Sequence, residues 1–244
     1  MSWFTHAFTA WPSLRASALA ASCAALVAAT LCAPAQAANE TRSVADFDEV
    51  VLAVPGEVSI KQGQRETLTL EAEPAVLRKI TTEVHGRRLL IGLAPGRIET
   101  QQPIRMNLGV RTLRAFESRT GGAISIGPLT GDSLALVLAG GGSIRLDRLE
   151  DALRLDVRIT GAGDVAIEGG KVKAQQLAIT GIGTYVAPKL ASERAQVAID
   201  GNGNVQLAAS STLAVRIGGV GNVRYHGDPA VTRSIQGIGS IEKD

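Results

Sequence analysis

From Thr120 to the end of the chain, apolar residues return at every second position, and the alternation is broken at a regular interval by glycines. Two residues beyond the second glycine of each break stand Ile124, Ile144, Val165, Tyr185, Val205, Val223 and Ile241. Two further on stand Ile126, Leu146, Ile167, Ala187, Leu207 and Tyr225. Two residues before each break, from the second onward, are Leu138, Ile159, Ile179, Ile199, Ile217 and Ile235; four before are Leu136, Val157, Leu177, Val197, Val215 and Arg233. Apolar side chains spaced by two belong to strands with one buried face. The breaks begin at 120, 140, 161, 181, 201, 219 and 237, separated by 20, 21, 20, 20, 18 and 18 residues. A period so close to constant is the mark of a repeat architecture. At the corners, glycine is expected because it tolerates positive φ.

A period this short has no room for two strands and a crossover helix. The sequence therefore predicts a parallel β-helix, one coil per period, with coils about 4.8 Å apart. Equivalent residues stack, and each buried Ile, Val or Leu contributes roughly 1.5–3 kcal/mol. No coil is stable alone, so the array stands or falls together. The sharpest expectation is that Ile159, Ile179, Ile199 and Ile217 lie in one stack.

Upstream, from Val44 to Phe116, the chain is strand-rich but irregular. Val50 to Val54, Val58 to Ile60, Thr67 to Leu70, Ile80 to Val84, Leu89 to Leu93 and Ile104 to Leu108 read as strands, with a helical turn near Leu77 to Lys79 and a hairpin turn at His85-Gly86-Arg87. Pro95 to Pro103 reads as a polar loop. This part is expected to cap or extend the solenoid, whose end otherwise exposes an unpaired edge. At the other end Arg233 interrupts an apolar column, and a charge there discourages further pairing.

Residues 1–37 read as an export signal: Arg15, an apolar Ala-rich run from Ala16 to Leu31, and Ala35-Gln36-Ala37 at a small-x-small cleavage site. A membrane anchor and a lipid-modified Cys23 are the poorer alternatives, and no transmembrane segment is expected in the mature chain. The division is then 1–37 signal, 38–118 β-rich N-terminal part, and 119–244 repeats. Cleavage removes Cys23, Cys32, Trp3 and Trp11, leaving no thiol chemistry. The signal holds one of the 25 basic residues and none of the 23 acidic ones, so the remainder is nearly neutral. With Phe47, Phe116, Tyr185 and Tyr225 as its remaining aromatics, the chain lacks the charge and the stacking rings of a nucleic-acid binder, and the same scarcity argues against a lectin.

The polar column Ala123, Ser143, Asp164, Thr184, Asn204, Asn222, Ser240 contains a single acid, which suits turn chemistry better than a metal ladder. His85 and His226 fall in turns. No catalytic motif, dinucleotide loop or regular calcium-binding repeat is present, so no catalytic residue, metal or cofactor is expected. Asp147, Glu150, Asp151, Asp156 and Glu168 are scattered among Arg145, Arg148 and Arg154, as on a solvated surface. Ala166, Ala178, Val186 and Ala198 are expected to face outward as a weakly apolar strip, suited to a protein or cell-surface partner or to a second copy in a homo-oligomer.

Phe47-Asp48-Glu49-Val50, Val58-Ser59-Ile60-Lys61-Gln62-Gly63, Leu89-Leu90-Ile91, the serial Gly-x-Gly phrases and Tyr225-His226-Gly227-Asp228-Pro229 occur in an order that resembles the head GIN domain family, named for auto-transporter adhesins. The resemblance runs from Phe47 to Ile241 and implies an all-β, right-handed parallel β-helix with an irregular β-rich N-terminal cap. No membrane barrel of amphipathic strands follows the repeats, so export as a free domain is expected. The function expected is a non-enzymatic periplasmic or surface binding module, the alternatives being a carbohydrate-active β-helix enzyme and a purely structural envelope protein.

Overall fold

A computed structural model describes residues 37–96, 100 and 102–244. The export signal, but for its last residue, lies outside the described residues, as does part of the Pro95 to Pro103 loop. The N-terminal part contributes β1 (Ala38–Arg42), β2 (Glu49–Leu52), β3 (Gly56–Gln62), β4 (Thr67–Ala72), the one-turn α1 (Pro74–Leu77), β5 (Ile80–His85), β6 (Arg88–Leu93) and β7 (Arg105–Val110). The repeats contribute β8 (Ala115–Ser118), β9 (Gly122–Ile126), β10 (Leu129–Thr130), β11 (Ser133–Leu138), β12 (Gly141–Leu146), β13 (Leu149–Ile159), β14 (Ala162–Ile167) and β15 (Gly170–Ile179). They continue with β16 (Ile182–Ala187), β17 (Leu190–Ile199), β18 (Asn202–Ala208), β19 (Thr212–Ile217), β20 (Val220–His226), β21 (Ala230–Ile235) and β22 (Ile238–Lys243). Together they wind into a β-solenoid of about 6 turns.

Each coil sends one strand to each of two sheets. One sheet has the order β1-β4-β7-β3-β9-β12-β14-β16-β18-β20-β22; the other runs β21-β19-β17-β15-β13-β11-β8-β2-β6-β5, with β10 beside β13. The expected isoleucine stack is present: Leu138, Ile159, Ile179, Ile199, Ile217 and Ile235 pair in register from strand to strand. Ile124, Ile144, Val165, Tyr185, Val205, Val223 and Ile241 form the facing row. Except at the outermost coil, both rows are buried, and they merge into one core.

The glycines at the corners answer to a different constraint from the one expected. Gly161, Gly181, Gly201, Gly219 and Gly237 are all outside the left-handed region. A Cβ on any of them would lie 1.9–2.1 Å from the carbonyl oxygen of the glycine one coil earlier. Glycine is required because coil sits on coil with no clearance at the corner. At Gly142 both constraints act: φ is +103°, and a Cβ would lie 2.1 Å from the Gly122 carbonyl oxygen. The register also adds an eighth corner: Gly56 pairs with Gly122, so Pro55-Gly56 is the same turn as the later phrases.

In the N-terminal part, spatial order departs from chain order. β2 lies between β6 and β8, and β3 between β7 and β9, all in parallel. The coil formed by β6 and β7 is therefore outside the coil that precedes it in sequence. Beyond it, β4, β1 and β5 run antiparallel to their neighbours and close that end. Val76, Leu77 and Ile80 are buried there, and Arg42 reaches across to the main-chain oxygens of Ile80 (2.5 Å) and Leu77 (2.8 Å) and to Thr82 Oγ1 (2.7 Å).

Candidate functional site

Strand alternation sends every second side chain outward, and the parallel register lines these side chains up along the solenoid. On the first sheet the outward rows are Ser143, Asp164, Thr184, Asn204, Asn222, Ser240 and, beside it, Arg145, Ala166, Val186, Gln206, Arg224, Glu242. The polar row bonds to itself at its far end: Asn222 Nδ2 donates to Asn204 Oδ1 (3.4 Å), and Asn222 Oδ1 accepts from the Ser240 hydroxyl (3.1 Å). These contacts agree with the turn-and-ladder reading. Asn204, Gln206, Asn222, Arg224, Ser240 and Glu242 enclose a shallow polar groove of about 500 Å³.

The four residues of the expected strip do not make one surface. Ala166 pairs with Val186 in the first sheet, whereas Ala178 pairs with Ala198 in the second. All four point outward and are half-buried by their neighbours, as two small pairs on two faces. The alternation identified their direction; it carried no information about which sheet they join. More exposed apolar side chains stand at the corner between the sheets, where Val220 and Ile238 are neighbours (46% and 73% exposed) and Asn202 separates them from Ile182 (64%).

The opposite corner carries a groove that the sequence reading did not name. β13, β15 and β17 are 10 or 11 residues long, whereas β19 and β21 have 6. The register of β17 with β19 begins at Arg194 opposite Thr212, so Leu190 and Ala191 have no counterpart on the narrower coil. This step leaves a groove of about 230 Å³ walled by Val172, Ala191, Ala208 and Ala209, with Lys171, Glu193 and His226 at its rim. The signal was available as the shortening of the period from 20 residues to 18.

Ser192 lines the same groove and ends a buried polar chain. The Tyr185 hydroxyl donates to Gln175 Oε1 (2.9 Å), Gln175 Nε2 donates to Ser192 Oγ (2.9 Å), and Ser192 Oγ donates to the Ala208 carbonyl (2.6 Å). Tyr185 and Gln175 stand in rows that are otherwise aliphatic, and the small Ala187 and Ala195 next to them provide the space. Burial pushes the Tyr185 hydroxyl well above its ordinary pKa, so it stays a neutral donor.

Several of the charged residues pair. Arg145 meets Glu168, Arg148 Nε lies 3.4 Å from Glu150, and Arg154 Nε lies 2.7 Å from Asp156. The Arg154 guanidinium is held above its usual range by its hydrogen bond to Asp156 and by that carboxylate's charge. His85 and His226 end strands β5 and β20, beside Glu83 (2.8 Å) and Asp244 (3.5 Å). In the cap, Asp48 is buried against Arg87 (2.6 Å) and Arg114 (3.5 Å), while Glu66 binds Arg111 (3.0 Å) and the Asp46 main-chain N–H (2.8 Å). Among the described residues no three His, Cys, Asp or Glu side chains are grouped to hold a metal ion, and no helix is long and apolar enough to cross a membrane.

Comparison with known proteins gives a consistent set. A family described as "Putative auto-transporter adhesin, head GIN domain" matches residues 46–229. A crystal structure of a "putative adhesin" from Bacteroides fragilis superimposes with a TM-score of 0.81 at 20% identity, covering 86% of this chain and 97% of that one. A "putative adhesin" from Parabacteroides distasonis has a TM-score of 0.68 at 22% identity over 86% and 98% of the two chains. A "Putative lipid binding protein" from the same organism gives 0.64 at 20% identity over the same shares. At these identities the likeness concerns the fold. No curated protein matches the sequence.

Proposed function

Since this chain belongs to the head GIN domain family, we propose that it is an exported, non-enzymatic module that binds a partner at the cell envelope through the outward rows of its solenoid. The observation that carries this reading is the register. Inward positions are spent on a continuous core, and one outward row, Ser143, Asp164, Thr184, Asn204, Asn222 and Ser240, repeats a small polar side chain at each inter-coil step. Such a surface offers many weak, equivalent contacts, the arrangement suited to an extended or repetitive partner. Glu150, Asp156 and Glu168 are tied to arginines in exposed pairs, which leaves them poorly placed as the acid and base of a polysaccharide-cleaving enzyme. Export is supported by the signal pattern of residues 1–37, and location in the periplasm or at the cell surface follows from it.

Cell fractionation with N-terminal sequencing tests the export half: the expected product begins at Ala38, outside the cytoplasm. A full-length cytoplasmic product overturns it. Binding is tested by pull-down from envelope fractions, with Asn204→Arg and Asn222→Arg in the outward polar row expected to abolish capture without changing thermal stability. The step groove favours a second reading, uptake of an apolar chain, in line with the lipid-binding name of one structural neighbour. Calorimetric titration with a medium-chain fatty acid tests it, with Ala191→Trp expected to block any binding seen.

A further inference from the structure

We propose that the outward face of the second sheet binds an acidic polysaccharide, one carboxylate per disaccharide, an inference that rests on the reading of the outward rows as a binding surface. Three outward rows cross this sheet from β11 to β21. They hold four arginines, Arg154, Arg158, Arg194 and Arg216, and one acid, Asp156. The two outward rows of the first sheet balance Arg145 and Arg224 against Asp164 and Glu242. The excess positive charge of these rows is on one face. Arg154 is held by Asp156 and Gln176, and Arg216 by Asp200, each through part of its fork. Arg158 and Arg194 are exposed and have no hydrogen bond or ion pair.

Arg154 and Arg194 stand in one row, two coils apart, which is about 9.6 Å at the usual strand spacing. Ala174 lies between them and leaves a hollow of about 390 Å³, with Gln176 and Gln196 on its wall. Arg158 stands across the row of those glutamines. Two sugar rings joined end to end in an extended chain advance by a similar length. An acid on every second ring then meets Arg154 and next Arg194, and a guanidinium fork matches a carboxylate in both charge and shape. The glutamine amides can donate to and accept from the ring hydroxyls between. Scarce aromatic rings weigh against stacking of neutral sugars and leave charge to hold the chain. An acidic peptide fits less well, because β13, β15 and β17 are interior strands with no open edge for its main chain.

The test is calorimetric titration of the purified protein with a hyaluronan octasaccharide, in which every second ring is a uronate, at low and at high salt. Binding is expected at low salt and is expected to weaken as salt is raised. Arg158→Gln combined with Arg194→Gln should weaken it at least about tenfold. The thermal transition should not move, because neither side chain has a partner to lose. Arg224→Gln, an equal loss of charge from the first sheet, and Asn204→Arg, which tests that face, should leave hyaluronan binding unchanged. A folded protein that ignores hyaluronan overturns the proposal, even where it captures an envelope partner. So does equal binding of a neutral chitin octasaccharide, of polyglutamate or of phosphatidylglycerol vesicles, or an equal effect of Arg224→Gln. Loss of envelope capture in Asn204→Arg with hyaluronan binding intact supports two faces with separate ligands.

Discussion

Between β11 and β20 every strand pairs with the strands one period before and after it, whereas β2 pairs with β6 and β8 and with neither of its neighbours in sequence. The coils repeat one local solution, in which apolar rows stack and a glycine corner permits contact. Stability there is shared between adjacent coils. The cap has no repeated unit. It inserts one coil between two others, reverses two strands, β4 and β5, and ties the crossing segments together by charge. Asp48, at the start of β2, meets Arg87 from the β5–β6 turn and Arg114 from the approach to β8, and Glu66 meets Arg111 after β7. Regularity can be maintained by nearest neighbours. A permuted order needs contacts that are distant in sequence and specific in partner.

The largest effect that separates the two regions is expected in the stack. Ile179→Ala removes a fully buried side chain between Ile159 and Ile199 and should cost about 4 kcal/mol, read as a lower urea midpoint. Gly181→Ala comes next. Its methyl would lie 2.0 Å from the Gly161 carbonyl oxygen and should cost about 3 kcal/mol by forcing two coils apart. Gly63→Ala, in the cap, meets nothing within 4 Å and should stay within about 0.5 kcal/mol of the unmodified protein. If the two glycines behave alike, clearance between coils is not what the corner glycines provide.

Arg42→Met should cost about 2 kcal/mol, because main-chain oxygens of Leu77 and Ile80 lose a charged donor. Hydrogen exchange should show the loss as opening of β1 and β5 while β13 to β18 remain protected. Tyr185→Phe should cost about 1 kcal/mol by leaving Gln175 Oε1 bare in the core, with the cap unaffected.

The smallest difference is in pH dependence. Burial alone would raise the Glu66 carboxyl; the Arg111 guanidinium and the main-chain N–H groups of Asp46 and Phe47 outweigh it and hold the pKa below the ordinary value of 4.5. A depressed folded pKa means the contribution is fully present above 4.5 and is lost as pH falls through the folded value. Glu66→Gln should therefore flatten the acid limb of the stability curve below that pH. An unchanged acid limb would show that the Arg111 pair does not hold the cap.

How much could be read in advance followed from how local each feature is. Ile159, Ile179, Ile199 and Ile217 were assignable to one stack because a fixed period places equivalent residues at equivalent points on successive coils. The hairpin at His85-Gly86-Arg87 was legible from its turn residues, and Gly86 has φ +62°. Pro55-Gly56 was legible as a turn but not as a corner of the solenoid, because the coil it pairs with lies far along the chain. The surface strip failed for a related reason. Alternation gives inward or outward, and both sheets of a solenoid have the same alternation, so Ala166 and Ala178 looked like neighbours.

By itself the sequence determined the coil, its period, its buried rows and the sites that must be glycine, because all of these depend on spacings within one or two turns. Tertiary structure alone decided the order of coils in the cap, the division of outward residues between two faces, and the groove where an 18-residue coil meets a 20-residue one. Those outcomes depend on which distant edge a strand finds, a choice made by the summed fit of side chains and ion pairs across the closed ring.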